Sequence, residues 1–192
     1  QKQLLSVDAQ HREYVTDKSL AQLLNWCDHQ KTRALLRRDD YLLTLSSVNI
    51  INDIHCAVMN IALAEVENNN ALYVNVDNNL NPNITIESEF FQAMIRSLCS
   101  VLLTKQSDTS LDISFKLVDV SSAQQIVRCC FAVSKPSCAD ELARTINDLV
   151  QDREESVRGP QYTIDYLHDL MLMFNVSNKE NIILDEVAKF TF

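Results

Sequence analysis

The chain has 192 residues and a single glycine, where average usage of about 7% would supply about thirteen. With 46% apolar and 22% charged residues it is a folded globule rather than a disordered chain, and it is long enough to bury a sizeable core. A net charge of -9 without a basic stripe opposes nucleic acid as a ligand, and no apolar run approaches the roughly 20 residues that span a bilayer.

From about Asp8 to Arg38 there is neither proline nor glycine, and Leu20, Leu23, Leu24, Cys27, Leu35 and Leu36 recur at three- and four-residue spacings. That period predicts a long amphipathic helix. A second helix is expected over about Val48 to Glu67, with Val48, Ile51, Ile54, Val58, Ile61 and Ala62 as its stripe. The run Asn68-Asn69-Asn70 ends it, since asparagine tolerates the left-handed conformation of a helix stop. The period then changes to two. Leu72, Val74 and Val76 alternate with polar neighbours as a half-buried strand does, and Asn78 to Pro82 breaks the strand.

A very short strand over Ile84 to Ile86 precedes a helix from about Ser88 to Leu103, whose apolar face is Phe91, Met94, Ile95, Leu98, Val101 and Leu102. Two alternating strands follow, through Leu111 to Leu117 and Val127 to Val133, then a loop containing Pro136. Helices are expected over about Ala139 to Gln151 and Tyr162 to Phe174, flanking a charged stretch from Asp152 to Gly159. Ile182 to Leu184 and Val187 to Phe192 form a terminal hairpin. Strands and helices in this order predict a two-layer α/β sandwich, with a mixed sheet covered by helices on one face and preceded by long N-terminal helices.

The six cysteines show no Cys-x-x-Cys spacing, and adjacent Cys129 and Cys130 would face opposite sides of a strand. Reduced and mostly buried thiols in a cytoplasmic protein are expected, with no metal site. The sequons at Asn83 and Asn175 would matter only in a secreted chain. His11, His29, His55 and His168 make no metal-ligand spacing with another histidine or a carboxylate. His55 reads as a core or boundary histidine and His168 as a helix-surface residue. The Asp39-Asp40 and Glu154-Glu155 pairs read as solvated carboxylates, and Met171, Met173 and Phe174 as core.

Residues 72 to 104, "LYVNVDNNLNPNITIESEFFQAMIRSLCSVLLT", resemble the start of a histidine-kinase (GHKL-type) ATPase domain: a strand, an Asp- and Pro-containing loop, then a long helix. "LDISFKL" and "IVRCCFAV" resemble that domain's central strands, "GPQYTIDYLHDLMLMF" its last long helix, and "NIILDEVAKFTF" its closing hairpin. Upstream, "DAQHREYVTDKSLAQLLNWCDHQ" looks like the second helix of the kinase's dimerization and phosphotransfer bundle. The resemblance implies three parts: a bundle-like segment over 1–45, a connecting helix over 46–70, and an ATPase-like domain over 71–192. Beginning at Gln1 without an initiator methionine, the chain reads as a piece of a longer protein.

The family's specific motifs are missing. Two asparagines of its long helix, the second of which holds magnesium, match Arg96 and Ser100 here. The aspartate of its Asp-x-Gly-x-Gly turn, which receives the adenine amino group, falls near Ala132 with no glycine after it. Its Gly-x-Gly-Leu motif keeps Gly159 but has Gln161 for the second glycine, and Pro160 removes an amide donor. Backbone amides close around phosphates only where no Cβ intervenes.

The resemblance therefore implies a degenerate kinase domain that needs no cofactor, as in RcsD-like phosphorelay proteins. It would dock a response-regulator receiver or phosphotransfer domain and a partner histidine kinase, with no nucleic acid or membrane contact by this piece. The stripe Leu20, Leu23, Leu24 and Cys27 would pair in a homodimer of the full protein. Two alternatives stay open. One is an ATP-independent histidine phosphotransferase, using a histidine upstream of Gln1 or His11, which precedes Arg12-Glu13. The other is a weakly active histidine kinase.

Overall fold

A computed structural model describes residues 44–65, 68–121, 124–150, 162–174, 176, 179–184 and 187–192, and in the first part of the chain residues 27, 30, 31, 34, 35 and 38. The chain divides into two compact units, Gln1–Leu42 and Leu43–Phe192. In the first, Cys27, Gln30, Lys31, Ala34 and Leu35 are helical, and the amide of Arg38 donates to the Leu35 carbonyl at 3.1 Å. Cys27 is exposed. Leu20, Leu23, Leu24, His11, His29 and the Asp39-Asp40 pair lie outside the described residues.

The second unit runs β1 (Ser46–Asn49), α1 (Ile50–Glu65), β2 (Ala71–Val76), β3 (Asn83–Ile86), α2 (Ser88–Leu103), β4 (Ser110–Val120), β5 (Gln125–Ser134), α3 (Ala139–Val150), α4 (Tyr162–Met173), β6 (Glu180–Leu184) and β7 (Val187–Thr191). Five strands form one mixed sheet in the order β2-β4-β5-β7-β6. Only β2 and β4 are parallel, as the intervening crossover requires; the other neighbours are antiparallel. β1 and β3 make a separate antiparallel pair.

Residues 46–70 therefore differ from the expected connecting helix. Val48 lies in β1 opposite Ile84, and the helix begins at Ile50. The start is set by Asn49, whose side-chain oxygen accepts from the amides of Ile51 and Asn52 at 3.1 and 3.2 Å, the geometry of an N-cap. At the other end Asn69 takes φ 55°, the left-handed stop expected of the asparagine run. Asn68 and Asn70 both donate to the Glu65 carboxylate, at 2.9 and 2.8 Å. Lys105, Asp108 and Lys135 also have positive φ, at 59°, 52° and 53°, so turns elsewhere filled by glycine are here filled by larger residues.

The core lies between the sheet and the helices. Leu111, Ile113 and Phe115 of β4 stand opposite Val133, Phe131 and Cys129 of β5, and all six are buried. The Phe131 ring is edge-on to Phe115 at 6.5 Å and stacks on Phe192 at 6.0 Å. On the other face of the same strands Asp112, Lys116 and Arg128 are exposed, and Ser114, Cys130 and Ala132 are half-buried. α2 buries Phe90, Phe91, Met94, Ile95, Leu98, Cys99, Leu102 and Leu103, and the Phe91 ring meets Phe174 beyond α4 edge-on at 5.9 Å. Of the three residues read as core, Met171 is buried, whereas Met173 and Phe174 are half-buried.

Two expectations are corrected. Only Cys99 and Cys129 of the six cysteines are buried; Cys27 and Cys56 are exposed, and Cys130 and Cys138 are half-buried. Burial raises the Cys99 thiol and pushes Cys129 up to about 12, because a thiolate there would lose its hydration. The histidines exchange environments: His55 is exposed, whereas His168 is half-buried with Nε2 3.1 Å from the Asp148 carbonyl, joining α4 to α3. Among the described residues no helix is long and apolar enough to cross a membrane.

Candidate functional site

Ten of the sixteen residues of α2 are buried, so one strip of the helix remains for polar groups. Ser88, Gln92, Arg96 and Ser100 follow one another at four-residue spacing and lie on one face. The upper part of this strip is tied to α1. The Ser88 hydroxyl donates to Asp53 Oδ2 at 2.7 Å, and the Gln92 amide donates to Asp53 Oδ1 at 3.1 Å and to Ser88 Oγ at 3.3 Å. Arg96 extends the series through a donation to Gln92 Oε1 at 3.4 Å. Ser100 ends it, exposed, with its carbonyl accepting from the Thr104 hydroxyl at 2.8 Å.

Arg96 and Ser100 thus share a helix face, as their spacing requires. Ala132 is elsewhere: it lies in β5 between Asp112 and Lys189, and its side chain alternates away from buried Phe131 and Val133. Gly159, Gln161 and the Glu154-Glu155 pair lie outside the described residues. The Asp53 network was not readable beforehand, because Ser88 is 35 residues from Asp53 in the chain. Its one sequence signal is the four-residue spacing of Ser88 and Gln92.

A cavity of about 290 Å³ opens at the ends of the parallel strands, lined by Asn75, Val76, Asp77, Asn78, Asn79, Ser114, Phe115 and Lys116. It includes none of Arg96, Ser100 or Ala132. Asp77 is largely committed to its own loop: it accepts from the amides of Asn79 at 2.9 Å and Leu117 at 3.3 Å. The Asn79 amide bond, followed by that from Leu117, outweighs the cost of desolvation and lowers its pKa. Among the described residues no three histidine, cysteine or carboxylate side chains cluster as a metal site would need.

The order of elements, the mixed five-strand sheet and the long helix after β3 define the fold of histidine-kinase catalytic domains. Solved structures similar to the chain include the histidine kinase AdeS of Acinetobacter baumannii, at 7% identity over 90% of this chain and 77% of that one, with a TM-score of 0.58. The catalytic domain of histidine kinase ThkA matches at 11% identity over 77% and 94% of the two chains, with a TM-score of 0.54. Full-length ShkA, solved in complex with AMPPNP, matches at 17% identity over 94% of this chain and 38% of that one, with a TM-score of 0.61. No protein-family model and no curated protein sequence matches the chain.

Proposed function

We propose that this chain is a non-catalytic, histidine-kinase-like module of a two-component phosphorelay, of the kind found in RcsD-like proteins. It docks a receiver or phosphotransfer domain and a partner kinase without binding ATP. The fold supports a place in two-component signalling. The observation that carries the non-catalytic reading is the strip Arg96–Ser100 on α2, where the resemblance calls for two asparagines. A guanidinium keeps its charge at all physiological pH values, so at this position it repels a magnesium ion rather than holding one. The Ser100 hydroxyl alone is a weak substitute for an ion that demands near-octahedral oxygen coordination. In the full protein a homodimer forms through the stripe of Leu20, Leu23, Leu24 and Cys27.

Calorimetry and thermal melting of the chain with millimolar ATP and magnesium test this reading, with an active histidine kinase as control. No heat and no shift in Tm are expected. Micromolar binding that weakens on Ser100→Ala would overturn the proposal in favour of a weakly active kinase. Docking is tested by capture of receiver and phosphotransfer domains on the immobilised chain, and Leu23→Glu should reduce capture if the first helix contributes.

A further inference from the structure

α1 buries Ile50, Ile54, Ala57, Val58 and Ile61. At about 100° per residue these occupy one arc, and Asn52, His55, Cys56 and Met59 fall within about 100° of each other on the opposite side. All four are exposed, Met59 to 59%. The solvent side of an amphipathic helix ordinarily carries charge. On α3 it does, through Asp140 and Arg144, both exposed. These four residues of α1 carry none, and instead display an imidazole, a thiol and a thioether.

Met59 lies between the other two on the helix surface, four residues after His55 and three after Cys56, spacings that leave Cβ atoms about 5–6 Å apart. Met59 has three rotatable side-chain bonds with which to reach either neighbour. Cys56 is exposed, unlike the buried Cys99 and Cys129. We propose that His55, Cys56 and Met59 form a surface site for one Cu(I) ion, with Cys56 as thiolate, Met59 as thioether and His55 as neutral imidazole ligand.

The donor set selects the ion. Two sulfurs and one nitrogen suit a soft cation content with three ligands. Zinc would ask for a fourth protein ligand or an open water position, and magnesium and calcium take oxygen. Binding releases the Cys56 proton to solvent and changes no oxidation state. The inference is independent of the phosphorelay reading.

The test is titration of the 192-residue chain with Cu(I), kept reduced under anaerobic buffer, against a chromophoric Cu(I) chelator. One equivalent per chain should be withdrawn from the chelator, and X-ray absorption should show both sulfur and nitrogen around the metal. Met59→Leu and His55→Ala should each weaken binding about tenfold or more, the scale on which metal sites respond even to altered supporting residues. Cys56→Ser should abolish the site and Cys27→Ser leave it intact. The affected side chains are exposed, so far-ultraviolet circular dichroism should be unchanged in all four variants. Failure to compete with the chelator, unchanged affinity in Met59→Leu, or one copper shared by two chains would each overturn the proposal.

Discussion

α1 and α2 are both sixteen residues long and pack against each other, yet they spend their surfaces differently. α2 is enclosed on most sides, and its sequence is dictated by volume: Met94, Ile95, Leu98 and Leu102 are almost fully buried. Only the strip through Ser88, Gln92, Arg96 and Ser100 escapes that constraint. α1 has one packed side and an open one whose residues do not serve the core. Departures from a family pattern are most informative on surfaces that packing leaves free, and each helix offers one such surface.

The contrast can be broken by truncation. Leu98→Ala should cost about 2–5 kcal/mol in denaturant unfolding, because the enclosed site leaves a cavity, whereas Met59→Ala should stay within about 0.5 kcal/mol. Equal losses would show that the open side of α1 is packed after all. The contact between the helices is the next largest effect. Ser88→Ala should cost about 1–2 kcal/mol by removing a partly buried hydrogen bond to the Asp53 carboxylate. A double-mutant cycle with Asp53→Ala should show most of that cost as coupling.

The smallest effect lies beyond the C-terminal end of α2, where Lys105 meets Glu141 of α3 at 2.7 Å with both side chains well exposed. Lys105→Met should barely move Tm, since solvent and salt screen such pairs. The hydrogen bond to Glu141, and then its charge, raise the pKa of Lys105 above 10.5. Any stabilisation is therefore full below pH 10.5 and disappears as pH rises through the folded-state value, so melting wild type and variant across that range gives the sign.

Local periodicity made much of this fold legible. The two-residue period of β4 and β5 and the stripe of α2 place most of their buried residues, Leu72, Val74 and Val76 of β2 are half-buried as their alternation implies, and Asn69 marks the end of α1 through its tolerance of positive φ. β1 was hidden because Ser46, Ser47, Val48 and Asn49 have no apolar alternation and gain their pairing from β3, far along the chain. His55 was misplaced because it stands four residues after Ile51 and three before Val58, both counted in the stripe, whereas the helix buries the arc through Ile50, Ile54, Ala57, Val58 and Ile61 and leaves His55 outside it. The Asp53 network joins separate helices, and no period within one segment encodes it. The positions of Arg96 and Ser100 on one face were readable from their spacing; the orientation of Ala132 depended on the phase of β5.

The left-handed backbone at Lys105 and Lys135 bears on how a chain can lose its glycines. A side chain in that conformation costs the folded state about 1–2 kcal/mol. The same side chain narrows the denatured ensemble, and replacing a glycine gains about 0.4–1 kcal/mol from that source. The first term is the larger, so each such turn is a net cost to the folded state. Stability alone therefore favours glycine at such turns, and the surrounding core of buried strands and helices carries the cost of the side chains found there.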